Sequence, residues 1–159
     1  MLVVFCLEEN LIEYRNINGW KLIMTKDYLN KLTFEILGAA IEVHKELGAG
    51  LLESVYHTCL KRELDIRKIA YVSEYWVDIE YKGSIIGADL RCDLLVEDAI
   101  VVELKALESV APVHTAQLMT YMKLLKKPKG ILINFCCENL FKNGQKTIVN
   151  ELFRNLPEI

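Results

Sequence analysis

The chain has 159 residues, of which 52% are apolar and 26% charged, with only three prolines and eight glycines. That suits one globular domain with a core of its own and excludes a collagen-like or disordered chain. The formal net charge of −3 argues against a protein that grips nucleic acid through many phosphate contacts. No apolar run reaches the ~20 residues of a membrane-spanning helix, so no membrane association is expected.

The run Leu2 to Leu7 is too short for a signal-peptide core and has no basic segment before it. The five cysteines, Cys6, Cys59, Cys92, Cys136 and Cys137, form no CxxC pair and no zinc spacing. An odd set of this kind fits reduced thiols, and the expected location is cytoplasmic. Residues 1–23 pass from apolar to acidic to polar without a sustained period. They read as an N-terminal extension of open status: an upstream addition with the native start at Met24, or a strand or arm. A single domain is expected over residues 24–159.

From Thr33 to Leu47, Phe34, Leu37, Ile41 and His44 recur at helical spacing, with Ile36, Ala40, Val43 and Leu47 beside them. Gly48-Ala49-Gly50 stops this helix. A second helix is expected over about 51–67, with Leu52, Val55, Tyr56, Cys59, Leu60 and Leu64 as its stripe. The period then switches to two: Tyr75, Val77, Ile79 and Tyr81 alternate with Trp76, Asp78 and Glu80 up to the turn at Lys82-Gly83-Ser84. Long strands follow over about 85–96 and 99–106. Pro112 precedes a helix to about Leu125, a buried strand runs from Gly130 to Phe135, and a turn at 142–145 leads to a last strand or helix over 147–153. The order predicts an α/β (α+β) domain with a mixed sheet flanked by helices.

The hairpin formed by the two middle strands concentrates the chemistry. On the first strand Cys92, Leu94 and Val96 fall on one face, with Asp89, Arg91 and Asp93 on the other. On the second, Ile100, Val102, Leu104 and Ala106 share a face opposite Val101, Glu103 and Lys105. Cross-strand partners must lie on the same face. A three-residue loop, Glu97-Asp98-Ala99, pairs Val96 with Ile100 and Leu94 with Val102, and sets Asp93 opposite Glu103. A two-residue loop with a bulge does the same. Two carboxylates held this close repel unless a proton or cation lies between them. Carboxylate oxygens suit Mg²⁺, which keeps waters and leaves room for a phosphate. Lys105, on the same face, can orient a bound water or stabilise charge on phosphorus. The blander alternative is a solvated outer face with an ordinary ion pair. Two additions weigh against it. Glu53 heads a polar edge of the second helix with Tyr56 and His57. In the later helix His114, Gln117 and Tyr121 can point one way.

These residues resemble a known family. Gly50, Glu53 and Tyr56 match the GxxExxY signature of the GxxExxY protein family. The runs Arg91-Cys92-Asp93-Leu94 and Val102-Glu103-Leu104-Lys105-Ala106 resemble its later motifs, as does Pro112 to Tyr121 with His114 and Gln117. The resemblance covers roughly residues 33–150, and that family is placed in the PD-(D/E)XK nuclease superfamily. It implies a restriction-endonuclease-like core in which Asp93 is the central metal ligand, Glu103 the second carboxylate and Lys105 the catalytic lysine. Glu53 would complete the metal sphere, and Gln117 and Tyr121 match a QxxxY element near the substrate. Arg91 and His114 would contact phosphate or order the site. Cys92 stands where the superfamily's name has proline. The expected activity is metal-dependent (Mg²⁺ or Mn²⁺) hydrolysis of nucleic-acid phosphodiesters, DNA favoured, and a homodimer is one way for so small a domain to hold a duplex. The alternative is a nucleic-acid-binding or regulatory module that keeps the fold without cutting. A third reading is a purely structural partner of another protein.

Overall fold

The computed structural model describes residues 5–7, 11–15, 21–87 and 90–158, with side chains from residue 24 onward. Strands β1 (Phe5–Leu7), β2 (Leu11–Arg15) and β3 (Lys21–Ile23) pair antiparallel in that order as a small sheet. The expectation of an added segment before Met24 concerns residues that lie in part outside those described, as does Asp89, and of Cys6 only the backbone is described. Met24 itself is buried in the main core.

Helix α1 (Lys26–Leu47) begins well before Thr33. Thr25 explains the early start: its side chain accepts the Tyr28 N–H at 3.1 Å, and Asp27 sits favourably in the first turn. The remaining free amides of that turn are met from afar, since Lys26 N–H donates to Pro157 O and Asp27 N–H to Glu158 O. Starting earlier also changes the buried face. Leu29 and Leu32 extend a stripe through Ile36, Ala40 and Val43, and Phe34, expected inside, is 75% exposed because it lies off that line. Helix α2 (Glu53–Ile66) buries Tyr56, Leu60 and Leu64 at intervals of four, leaving Leu52 and Val55 outside.

The main sheet has the order β10-β9-β8-β7-β4, built from β4 (Tyr71–Trp76), β7 (Arg91–Val96), β8 (Ile100–Lys105), β9 (Lys129–Asn134) and β10 (Gln145–Val149). Only β8 and β9 run parallel, and helix α3 (Pro112–Leu124) makes the crossover between them. Short helices α4 (Leu140–Asn143) and α5 (Glu151–Arg154) flank β10, so the closing segment is both a strand and a helix. The two long strands expected over 75–81 and 85–96 are each broken. After Trp76 and Arg91, which pair with each other, the chain leaves the main sheet. It returns through a separate hairpin of β5 (Ile79–Tyr81) and β6 (Ser84–Ile86). The period-two pattern runs across the break because both parts are strands. Val77 marks the departure: it is buried and its N–H donates to Leu90 O at 2.8 Å.

One face of the sheet packs Leu94, Val96, Ile100, Val102, Leu104, Ile131 and Ile133 against α1 and α2. The other packs Leu95, Val101 and Leu132 against Leu118, Tyr121 and Met122 of α3. Gly130 lets α3 sit directly on β9, because a Cβ there would come 2.7 Å from Met122 Sδ and 2.8 Å from Leu118 Cδ1.

Lys129 is an unusual occupant of this core. It is 4% exposed, and its Nζ donates to Asn30 Oδ1 at 2.8 Å and lies 5.1 Å from the Phe153 ring centroid. Burial pulls its pKa down to about 8. The folded state therefore resists charging Lys129, a penalty fully present at pH 7 and lost as pH rises from about 8 past the unfolded value near 10.5. Lys129→Met is expected to stabilise the protein by about 1–2 kcal/mol at pH 7, with the gain shrinking near pH 10. Thermal melts of both proteins at the two pH values check this.

Candidate active site

The start of α2 is held by a turn that only certain residues permit. Gly48 and Gly50 have φ of +68° and +102°, in the region that disfavours side chains. The Tyr56 hydroxyl donates to Gly48 O at 2.6 Å and accepts the Leu51 N–H at 3.1 Å, while its ring stacks on Phe135 with centroids 4.4 Å apart. Tyr56 is thus a buried latch rather than part of a polar edge. The glycine and tyrosine of the motif fix the loop, and Glu53 emerges from it as the first residue of α2, exposed to solvent. His57, one turn on, meets Ser73 Oγ at 3.2 Å.

The hairpin register is the one expected from the three-residue loop: Val96 faces Ile100, Leu95 faces Val101 and Leu94 faces Val102. Glu97 and Asp98 adopt φ of +51° and +50° to make that turn. Beyond Leu94 the regular ladder stops. On the other side of β7 the register passes from Ser73–Leu94 to Tyr75–Cys92, omitting Glu74 and Asp93, and Glu74 has φ +55°. The irregularity also turns Cys92, which packs with Leu95 and Val101 instead of sharing a face with Leu94 and Val96.

Side chains take over where the backbone ladder ends. Leu104 N–H donates to Asp93 Oδ2 at 2.7 Å, and Asp93 N–H donates to Glu103 Oε1 at 3.3 Å. The Lys105 ammonium donates to Leu104 O at 2.8 Å and lies 3.5 Å from Glu103 Oε2. Glu103 is 2% exposed. Its pKa is raised to about 7, first by burial and then by the Asp93 charge, with Lys105 and the Asp93 N–H opposing. Burial first, and then the same two carboxylates, also push the Cys92 thiol up to about 12.

From α3, Gln117 Nε2 donates to the Tyr121 hydroxyl at 3.0 Å. Burial raises the Tyr121 pKa, the Gln117 hydrogen bond opposes, and the Glu103 charge raises it further, which puts the phenol within the field of that carboxylate. His114 does not join this pair: its Nδ1 accepts the Ala111 N–H at 3.1 Å and closes the first turn of α3. Arg91 is also engaged elsewhere, 3.1 Å from Glu74 Oε1 and 5.5 Å over the Trp76 ring. Reasoning from sequence missed both partners, since Glu74 and Trp76 carry no motif. The structure thus gathers Asp93, Glu103 and Lys105, with Tyr121 and Gln117 alongside. It shows no contact of Glu53, His114 or the Arg91 guanidinium with them.

Among the described residues no group of three His, Cys, Asp or Glu stands ready to hold a metal ion. The donor set still suits a hard divalent cation: two carboxylates, one buried and raised in pKa by its neighbour's charge, are what such an ion would relieve. Mg²⁺ commonly takes only one or two protein carboxylates and fills its shell with water and phosphate.

A family model described as the PD-(D/E)XK nuclease superfamily matches residues 30–148. No curated protein and no solved structure gives a match. The matched segment runs from α1 into β10 and takes in the main sheet up to Ile148, so the mixed sheet with helices on both faces is a restriction-endonuclease-like core. Its acidic pair and lysine stand on the two strands that part at Asp93. By that match the chain belongs to the PD-(D/E)XK nuclease superfamily.

Proposed function

We propose that this protein is a divalent-metal-dependent nuclease of the GxxExxY type, hydrolysing nucleic-acid phosphodiesters, with DNA as the favoured substrate and Mg²⁺ or Mn²⁺ as the ion. Membership of a nuclease superfamily supports a nucleic-acid substrate, and such nucleases generally use divalent metal. The single observation behind the reading is the parted strand pair that holds Asp93, Glu103 and Lys105 together, with Glu103 buried.

Asp93 and Glu103 would hold the ion, with Glu53 approaching from α2 as the third carboxylate. When bound, the ion supplies Lewis acidity at the scissile phosphate and lowers the pKa of a water. Lys105 then has a cation's task at the reacting phosphate. Its ammonium, which donates to Leu104 O and lies by Glu103, would orient the attacking water and balance charge on the phosphoryl oxygens. Tyr121, buried and bonded to the exposed Gln117, would help order the site, and Gln117 would reach the substrate. Arg91 and His114 remain assigned to phosphate contact or to ordering the site, through the Trp76–Arg91 pair and the cap of α3. The working unit is the domain over 24–159, and a homodimer would let two copies hold a duplex. Among the described residues Cys59, Cys92, Cys136 and Cys137 are free thiols, which supports a cytoplasmic setting. No described helix is long and apolar enough to cross a membrane.

The test is a panel of divalent metals against single-stranded, duplex and branched substrates, with Lys105→Ala as the blank. Lys105→Ala is expected to lose about 10²–10³-fold in rate. Equal cleavage by wild type and Lys105→Ala would refute the assignment. A second reading, a module that binds without cutting, is favoured by the absence of a preassembled three-ligand group among the described residues. It predicts no thermal shift with Mg²⁺ or Mn²⁺ in either wild type or Asp93→Ala.

A further inference from the structure

We infer that the edge of the sheet beside the carboxylates is a stacking platform for unpaired bases. The substrate class is then single-stranded or frayed nucleic acid rather than closed duplex. This rests on the nuclease reading and narrows its substrate.

The inference starts from two rings that the fold leaves outside. Trp76 is 60% exposed and Tyr81 57% exposed, although large aromatic side chains ordinarily contribute to cores. Each carries a cation: the Arg91 guanidinium lies 5.5 Å from the Trp76 ring centroid, and Lys82 Nζ lies 5.3 Å from that of Tyr81. Trp76 ends β4, the outermost strand, and pairs with Arg91, which precedes Asp93 by two positions on β7. At about 3.3 Å per residue, that places the Arg91 backbone about 7 Å along the strand from the proposed metal ligand. Tyr81 and Lys82 lie on the β5–β6 hairpin, which leaves the sheet at this point. Trp76 thus stands on the outermost strand of the sheet two positions from the site along the paired strand, and Tyr81 follows it by five residues in the chain.

Charge selects the occupant. Arg91 and Lys82 are matched by Glu74, Asp78 and Glu80 nearby in sequence, and the whole chain carries −3. Phosphate attraction alone offers little here, and a duplex, whose base faces are already stacked, would meet mainly that weak term. Unpaired bases present their faces, and stacking one on an aromatic ring contributes ~1–3 kcal/mol with little dependence on sequence. Rings topped by cations suit bases and the phosphates between them. An apolar protein segment would use the rings and the neighbouring Ile85 and Ile86 but have no need of Arg91 or Lys82.

The test uses the full chain carrying Glu103→Gln, so that nothing is cut, with Trp20→Phe leaving Trp76 as the one tryptophan. A labelled oligothymidylate and a blunt duplex of equal length are titrated in Mg²⁺. Expected are quenching of Trp76 fluorescence by the oligothymidylate and tighter binding of it than of the duplex. In the same background without Trp20→Phe, Trp76→Ala and Tyr81→Ala should each weaken binding by about tenfold or more, with Trp76→Phe between them and wild type. The salt slope should be shallow, near one phosphate contact. Duplex binding as tight as single-strand binding, absence of quenching, or unchanged affinity in both alanine variants would overturn the platform. Failure to bind either oligonucleotide would also overturn it and leave the rings to a protein partner. The two readings fail separately. Quenching and tight single-strand binding, with a wild type that cuts nothing, would remove the nuclease and keep the platform. Cleavage indifferent to Trp76→Ala and Tyr81→Ala would do the reverse.

Discussion

Glu103→Gln protein should lose about 10²–10³-fold in hydrolysis and yet, without metal, melt at a higher temperature than wild type above pH 7. Both effects come from one buried carboxylate. In the folded chain its pKa is raised from 4.5 to about 7 by burial and by Asp93, so between those values the native state binds a proton that the unfolded state releases. Glu103 therefore contributes stability that is complete below about pH 4.5 and lost as pH rises through about 7. Glutamine keeps an oxygen for the Asp93 N–H and never ionises, so it avoids a loss on the order of 2 kcal/mol, or several degrees in Tm. Divalent metal should invert the order. Mg²⁺ is expected to raise the wild-type Tm more at pH 8 than at pH 5.5, where protons compete for the same oxygens, and to leave Glu103→Gln unmoved. Melting curves across pH with Mg²⁺ or chelator decide it. Parallel pH profiles for the two proteins, with equal metal responses, would show that the pair is not a cation site.

Tyr56→Ala is the substitution expected to cost most in stability. It removes a buried ring stacked on Phe135 and strips partners from Gly48 O and the Leu51 N–H. A loss of about 4 kcal/mol follows, or ~8–16 °C in Tm for a chain of this size. Tyr56→Phe keeps the stack and should cost only about 1–2 kcal/mol. It is the more telling variant, because it frees the loop that delivers Glu53 while leaving the core packed. Under the proposed function it should weaken metal affinity, read by titrating activity with Mg²⁺, out of proportion to its small effect on melting. A Tyr56→Phe protein with unchanged Mg²⁺ dependence would detach that loop from the site.

The parts of this molecule that could be read from sequence are those where period and turn length constrain each other. The register that joins Val96 to Ile100 follows from one rule, that a shift of a single residue would put Leu94 and Val102 on the wrong face. The break after Trp76 obeys no such rule. Alternation continues into the β5–β6 hairpin, and only the burial of Val77 and its bond to Leu90 betray the exit. Phe34 misled for a related reason: α1 is apolar on several sides, and the line actually buried was set by Leu29 and Leu32, recruited when Thr25 started the helix early. His114 shares the phase of Gln117 on the helix, but an open amide at Ala111 claimed its ring. Helical phase shows which way a side chain leaves the backbone and is silent on which nearby donor captures it. The same holds for Tyr56, whose spacing from Gly50 and Glu53 is plain in sequence while its partners across the loop are not.

Each acid of the central pair commits one oxygen to a main-chain N–H: Asp93 Oδ2 to Leu104, and Glu103 Oε1 to Asp93. Neither carboxyl group can swivel without breaking a bond that substitutes for sheet pairing. The placement of both acids is thus tied to the separation of the two strands as well as to their side-chain torsions, with Lys105 lying against the remaining oxygen of Glu103. Any shift of β7 against β8 would therefore be felt by both acids at once, as two pegs set in one hinge move together.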